Sequence, residues 1–153
     1  MDFLKLKIPP LFVLLLCASL TWWLSDSGEN ALSLMSFGVV FGLLLGLLAG
    51  LVCFLGVWEF KSSRTTVNPM TPKSSSSLVQ SGIYKYTRNP MYLGFAMFLV
   101  ACAFVLGSFK ALLATPLFVV YITTFQIKPE EAALEQLFGG SYVEYKTRVR
   151  RWL

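Results

Sequence analysis

Two short polar clusters interrupt an otherwise apolar chain, and they hold most of the side chains able to do chemistry. In the first, Tyr84, Tyr86, Arg88, Asn89, Pro90, Met91 and Tyr92 gather directly before a long apolar block. Asn89 can cap a following helix, and Pro90 suits its first position. Unpaired N–H groups at such a helix start attract anions. The residues therefore read either as a polar binding site or as an interfacial aromatic belt with a cap. In the second cluster, Lys128-Pro129-Glu130-Glu131, the proline and two carboxylates predict the start of a new helix. Carboxylates at a membrane boundary are costly unless paired or used, so Glu130 and Glu131 are candidate functional groups alongside Arg88 and Tyr92.

Composition excludes much else. Histidine is absent from all 153 residues, which removes Ser-His-Asp and Cys-His catalysis and HExxH zinc sites. Cys17, Cys53 and Cys102 each sit inside an apolar block, without a CxxC pair. They read as small buried hydrophobes, and no metal site is expected. No GxGxxG loop of a Rossmann domain is present.

The clusters must be positioned by membrane helices. The chain is 56% hydrophobic and 14% charged, against about 25% charged for an ordinary globular domain. Apolar blocks cover about 8–24, 33–58, 90–108 and 111–127. A bilayer core of about 30 Å takes about 20 apolar residues in a helix. The expected fold is therefore all-α and polytopic, a single domain over 1–153 with four transmembrane helices and a cytoplasmic, interfacial C-terminal helical segment. Lys5 and Lys7 precede the first block as in a signal peptide, but no small-x-small site follows Trp22 and Trp23, so a retained helix is expected.

Twelve of the thirteen Lys and Arg residues fall before the first block, between the second and third, or after the fourth; the other is Lys110. By the positive-inside rule both termini and the 59–88 loop are cytoplasmic, in an inner or plasma membrane, or in the endoplasmic reticulum of a eukaryote. The net charge of +5 is then a topological mark beside anionic headgroups, with the lipid bilayer as partner and no nucleic acid needed.

Gly38, Gly42, Gly46 and Gly50 recur every four residues in the second block. Such a stripe lets another backbone approach closely. Its use is packing against a neighbouring helix or a second subunit, which would allow a homodimer, or room for a lipid-like substrate. Between 59 and 81, Pro69, Pro72 and the serines at 74–77 predict irregular backbone. After Gly139-Gly140, a second amphipathic stretch places Tyr142, Tyr145 and Val149 on one side, while Arg148, Arg150 and Arg151 can reach headgroups.

The runs RTTVNP (64–69), SGIYKYTRNPMYLG (81–94), EE (130–131) and FGGSYVEYKTRVRR (138–151) together resemble the membrane methyltransferases of the isoprenylcysteine carboxyl methyltransferase type, related to phospholipid methyltransferases. The resemblance spans residues 64–151. It implies S-adenosyl-L-methionine as cofactor and methyl transfer to a lipophilic acceptor at the cytoplasmic membrane boundary. It also implies a cofactor region over about 64–94 and 128–151. Ser76, Ser77, Leu78 and Val79 match a stretch lining the cofactor, and Tyr84 an aromatic residue beside it. Asn89, Pro90, Met91 and Tyr92 match the four-residue cofactor motif, with Arg88 before it, and Glu130 matches the acid that contacts the cofactor. Arg88, Asn89, Glu130 and Glu131 are thereby the catalytic candidates.

A sulfonium is a cation that carboxylates and tyrosine faces stabilise, and the cofactor's carboxylate suits Arg88 or helix-start N–H groups. The resemblance departs at two positions. Asn89 stands where the isoprenylcysteine enzymes carry His; Asn hydrogen-bonds but carries no charge. Gln126, a substrate candidate, stands where they carry an arginine for the substrate carboxylate. The acceptor is thus open among a lipid amine, a small thiol and a carboxylate. The competing reading is a non-catalytic membrane scaffold or subunit retaining the same fold. A transporter is disfavoured because no span carries a charge in its middle.

Overall fold

The computed structural model describes residues 6–25, 37–63 and 77–153. Ser76, the 64–69 run, Pro72 and Lys5 lie outside the described residues, as do the first few residues of the second apolar block. Among the described residues the regular structure is helical throughout. Helix α1 covers Pro10–Leu24 and α2 covers Phe37–Ser62. A single 3-10 turn, Gly82–Lys85, precedes α3, Pro90–Val105. Helix α4 runs unbroken over Lys110–Phe138, and α5 covers Gly140–Arg148.

Helices α2 and α4, at 26 and 29 residues, are long and apolar enough to cross a membrane. Helices α1 and α3 are as apolar but have 15 and 16 residues, about 22–24 Å at 1.5 Å per residue against an apolar core of about 30 Å. Of the four expected spans, two are thus full-length helices and two are shorter apolar ones. Proline sets the start of both short helices, since Pro10 and Pro90 occupy the first helical position.

Helix α3 is the centre of the bundle. One side packs on α2 along its length. The close approach depends on small residues. A Cβ on Gly42 would lie 2.8 Å from the Ala101 carbonyl oxygen, and one on Gly94 would lie 2.8 Å from that of Ala49 and collide with Cys53 Sγ. The expected glycine stripe is therefore used within the chain at Gly42. It drifts off the contact, and Gly50 has nothing within 4 Å, because four residues advance a helix by about 400°. The other side of α3 presents Tyr92, Ala96 and Leu99 to Val13 and Leu14 of α1 and to Phe118, Ile122 and Ile127 of α4. The outer faces carry exposed Leu44, Leu47, Phe54, Leu117 and Val120, and Trp22, Trp23 and Trp58 stand exposed near helix ends, as lipid-facing surfaces require.

The expectation that Pro129 begins a new helix is corrected: α4 continues through it. Proline lacks an N–H and its ring crowds the carbonyl four residues back, here that of Phe125. A π-turn, Thr123–Ile127, widens the helix at that point. The freed Phe125 carbonyl accepts the Leu6 N–H at 3.1 Å. Helix α4 ends at Gly139, whose φ of 53° is a conformation that glycine adopts without strain.

Candidate active site

The site forms where the start of α3, the far end of α4 and α5 converge. Its floor is set by Gly82, whose φ of 54° turns the chain into the 3-10 turn, with the Glu59 side chain occupying the space a Cβ would need. Ser81 Oγ donates to Glu59 Oε2 at 3.0 Å, tying this turn to the end of α2. Tyr84 is buried in the turn, with its ring edge-on to Phe60 at 5.3 Å. Its carbonyl accepts the Tyr145 hydroxyl at 2.7 Å, so α5 closes over the turn.

Three of the candidates meet here. Tyr92 on α3 donates its hydroxyl to Glu130 Oε1 at 2.6 Å. Tyr84 lies close enough that burial first, and then the charges of Glu130 and Glu59 with Tyr145, push its phenol far above the ordinary range. Among the described residues no cation forms an ion pair with Glu130; the ion pairs at this end of the bundle go to Glu131. Glu131 receives Arg151 in a fork, Nε to Oε1 at 3.0 Å and Nη2 to Oε2 at 2.7 Å. Arg88 Nη1 stands 3.2 Å from Glu131 Oε1. Two adjacent glutamates thus have opposite environments: one neutralised by arginines, the other facing phenols.

The remaining candidates have structural partners. Asn89 Nδ2 donates to the Arg151 carbonyl at 2.9 Å, and the Arg88 N–H donates to that of Arg150 at 3.1 Å. The Asn89 N–H is held by Thr87 Oγ1 at 3.2 Å. Pro90 is buried, and the Met91 carbonyl accepts the Cys53 thiol at 3.5 Å. Ser77 Oγ donates to the Ser63 carbonyl at 3.2 Å. Val79 is buried, and Leu78 packs with Tyr142, Tyr145 and Val149, the face expected of the tail. Gln126 is fully buried and donates to the Ile8 carbonyl; its amide holds the approach to α1.

Arg151, one of three tail arginines able to reach headgroups, grips Glu131, because a guanidinium fork matches a largely shielded carboxylate. That bond pushes the Arg151 guanidinium above its ordinary value. Arg151, Thr87 and Tyr145 are site residues that sequence reasoning assigned no such role. The FGxxYxxY tail was the available signal, but its partners lie about sixty residues away in the chain.

An all-helical bundle with exposed apolar helix faces and a phenol–carboxylate pair at its polar end defines a membrane-type helical protein. The chain belongs to the phospholipid methyltransferase family, whose model matches residues 37–141. It is similar to the protein-S-isoprenylcysteine O-methyltransferase of Schizosaccharomyces pombe, at 38% identity over 72 residues, which are 47% of this chain and 30% of that enzyme. The enzyme of the same name from Saccharomyces cerevisiae is 31% identical over 80 residues, 50% of this chain and 32% of that one. The match thus covers about a third of each yeast enzyme. An uncharacterised protein of Haemophilus influenzae is 44% identical over 63 residues, 41% of this chain and all of that one. No solved structure matches the chain significantly.

Proposed function

We propose that the protein transfers a methyl group from S-adenosyl-L-methionine to a lipophilic acceptor that enters sideways from the bilayer. The observation that carries this reading is the Tyr92–Glu130 pair at 2.6 Å, a carboxylate sheltered from water with no cation among the described residues paired to it. A sheltered charge is unfavourable unless paired, and a cationic ligand supplies the missing partner. Bound here, the cofactor supplies an electrophilic methyl on a positively charged sulfur.

The chain's own residues then have separable tasks. Tyr92 fixes the orientation of Glu130 by donating to Oε1. Tyr84, buried between Phe60 and α5, offers an aromatic wall suited to a cation. Glu131, held by Arg151 and Arg88, is unavailable as a base. For an amine acceptor, Glu130 Oε2 is the carboxylate oxygen able to take the departing proton; a carboxylate or thiolate acceptor needs no base. Holding donor and acceptor in line supplies much of the rate.

We further propose four membrane spans, with both termini and the site on the cytoplasmic side; the twelve-to-one asymmetry of basic residues supports this orientation. Calorimetric titration of the purified protein with S-adenosyl-L-methionine tests the cofactor reading. Saturable binding, abolished by Tyr92→Ala, is expected; no binding by the unmodified protein would overturn it.

A further inference from the structure

Arg88 is a buried cation whose obvious partner is taken. Its side chain is 10% exposed, and neither Nε nor Nη1 has a hydrogen-bond acceptor. The 3.2 Å approach of Nη1 to Glu131 Oε1 lacks hydrogen-bond geometry. That same oxygen accepts Arg151 Nε, and Oε2 accepts Arg151 Nη2. Two guanidinium groups therefore share one carboxylate, and the less buried one, Arg151, makes both hydrogen bonds. The neighbours of Arg88 on α5, Tyr142 and Tyr145, are phenols.

The strand carrying Arg151 is fixed independently of its side chain. Its carbonyl accepts Asn89 Nδ2 at 2.9 Å and Thr87 Oγ1 at 3.4 Å, and the Arg150 carbonyl accepts the Arg88 N–H at 3.1 Å. Trp152 packs against the apolar core that contains Tyr92. The tail thus crosses the start of α3 beside Tyr92 and Glu130 and delivers Arg151 to Glu131.

We propose that Arg151 is a positioning residue: by making both hydrogen bonds to Glu131 it leaves Nε and Nη1 of the buried Arg88, which stands beside the same carboxylate without hydrogen-bonding it, to receive an anionic group of the ligand, the carboxylate of the cofactor's amino-acid end. The inference rests on the cofactor reading above. A guanidinium with two unused donors in a sheltered site binds a carboxylate strongly and with defined geometry. Removing Arg151 lets Glu131 capture Arg88 and removes that site without altering Arg88 itself.

The test compares S-adenosylhomocysteine with its decarboxylated counterpart, titrated calorimetrically into the full chain in nanodiscs. The unmodified protein is expected to prefer the carboxylate-bearing ligand by about ten- to a hundredfold, the range for a hydrogen bond to a charged group. Arg88→Gln abolishes the preference, and Arg151→Gln reduces it several-fold, with affinity for the decarboxylated ligand retained. Adding Glu131→Gln to Arg151→Gln restores the preference, because the competing carboxylate is gone. A merely structural Arg151 would not show that restoration. Equal binding of both ligands by the unmodified protein overturns the inference while leaving the cofactor reading intact. So does full discrimination by a folded Arg151→Gln variant, or failure of the second substitution to restore it. Absence of binding by either ligand overturns the cofactor reading and this inference together.

Discussion

Replacing Glu130 by Gln removes the group able to carry a negative charge beside the cofactor and changes little else. The Tyr92 hydroxyl, which donates to Oε1 at 2.6 Å, can still donate to an amide oxygen in the same place. Because the carboxylate has no ion-pair partner among the described residues, its loss strands no cation among them. Stability should therefore hold, changing by less than about 1 kcal/mol, as for substitutions that keep shape and hydrogen bonding. Ligand binding should not hold. A hydrogen bond or contact involving a charged group contributes about 1.5–3 kcal/mol, so Kd for S-adenosyl-L-methionine should rise roughly 10- to 150-fold. Titration calorimetry reads the affinity, and a thermal melt in the same detergent reads the stability. Glu131→Gln is the internal control. It strands Arg151 and the buried Arg88, so the thermal midpoint should fall. A Glu130→Gln protein that binds the cofactor as the unmodified one does, with an unchanged melt, would refute the assignment of Glu130 to the cation.

Other substitutions probe the scaffold. Gly42→Leu or Gly94→Leu should destabilise the α2–α3 seam by about 1–3 kcal/mol or more through overpacking, whereas Gly50→Leu, with open space around it, should leave the lifetime in detergent unchanged. Gly82→Ala should lower the thermal midpoint, since the residue has φ 54° and Glu59 fills the Cβ position; the conformation alone costs an L-residue about 1–2 kcal/mol. Gln126→Leu should leave the Ile8 carbonyl without its donor, a penalty of about 1–3 kcal/mol, seen as faster proteolytic cleavage before α1. A cysteine replacing Lys110 should react with an impermeant thiol reagent from the non-cytoplasmic side, and one replacing Lys85 from the cytoplasmic side.

The sequence shows some of this arrangement directly and conceals the rest. Pro90 marks the start of α3 because proline geometry is local, whereas Asn89 stands at the cap position without a side-chain cap hydrogen bond and gives its amide to the Arg151 carbonyl. Tyr92 and Glu130 were legible as candidates through the motif, and the structure brings them together. Pro129 misleads, because the local rule for a helix start does not know that Leu6 satisfies the Phe125 carbonyl. The glycine repeat on α2 announces close packing, yet Gly94, which lets α3 approach Ala49 and Cys53, stands alone in α3 and has no periodic signal. Gln126 is a substrate candidate from its place in the motif, and no local pattern announces that its amide nitrogen donates to the Ile8 carbonyl across 118 positions of chain. The bonds from Arg151 to Glu131 and Asn89 likewise depend on α5 folding back, which no local pattern encodes.

The central claim is methyl transfer at Glu130 and Tyr92. Its most direct test reconstitutes the purified protein in bilayers of extracted lipid and adds S-adenosyl-L-methionine carrying a labelled methyl group. Label is expected in an organic-extractable product, lost with Glu130→Gln or Tyr92→Ala. Labelled cofactor that binds but never yields a labelled lipophilic product would contradict it.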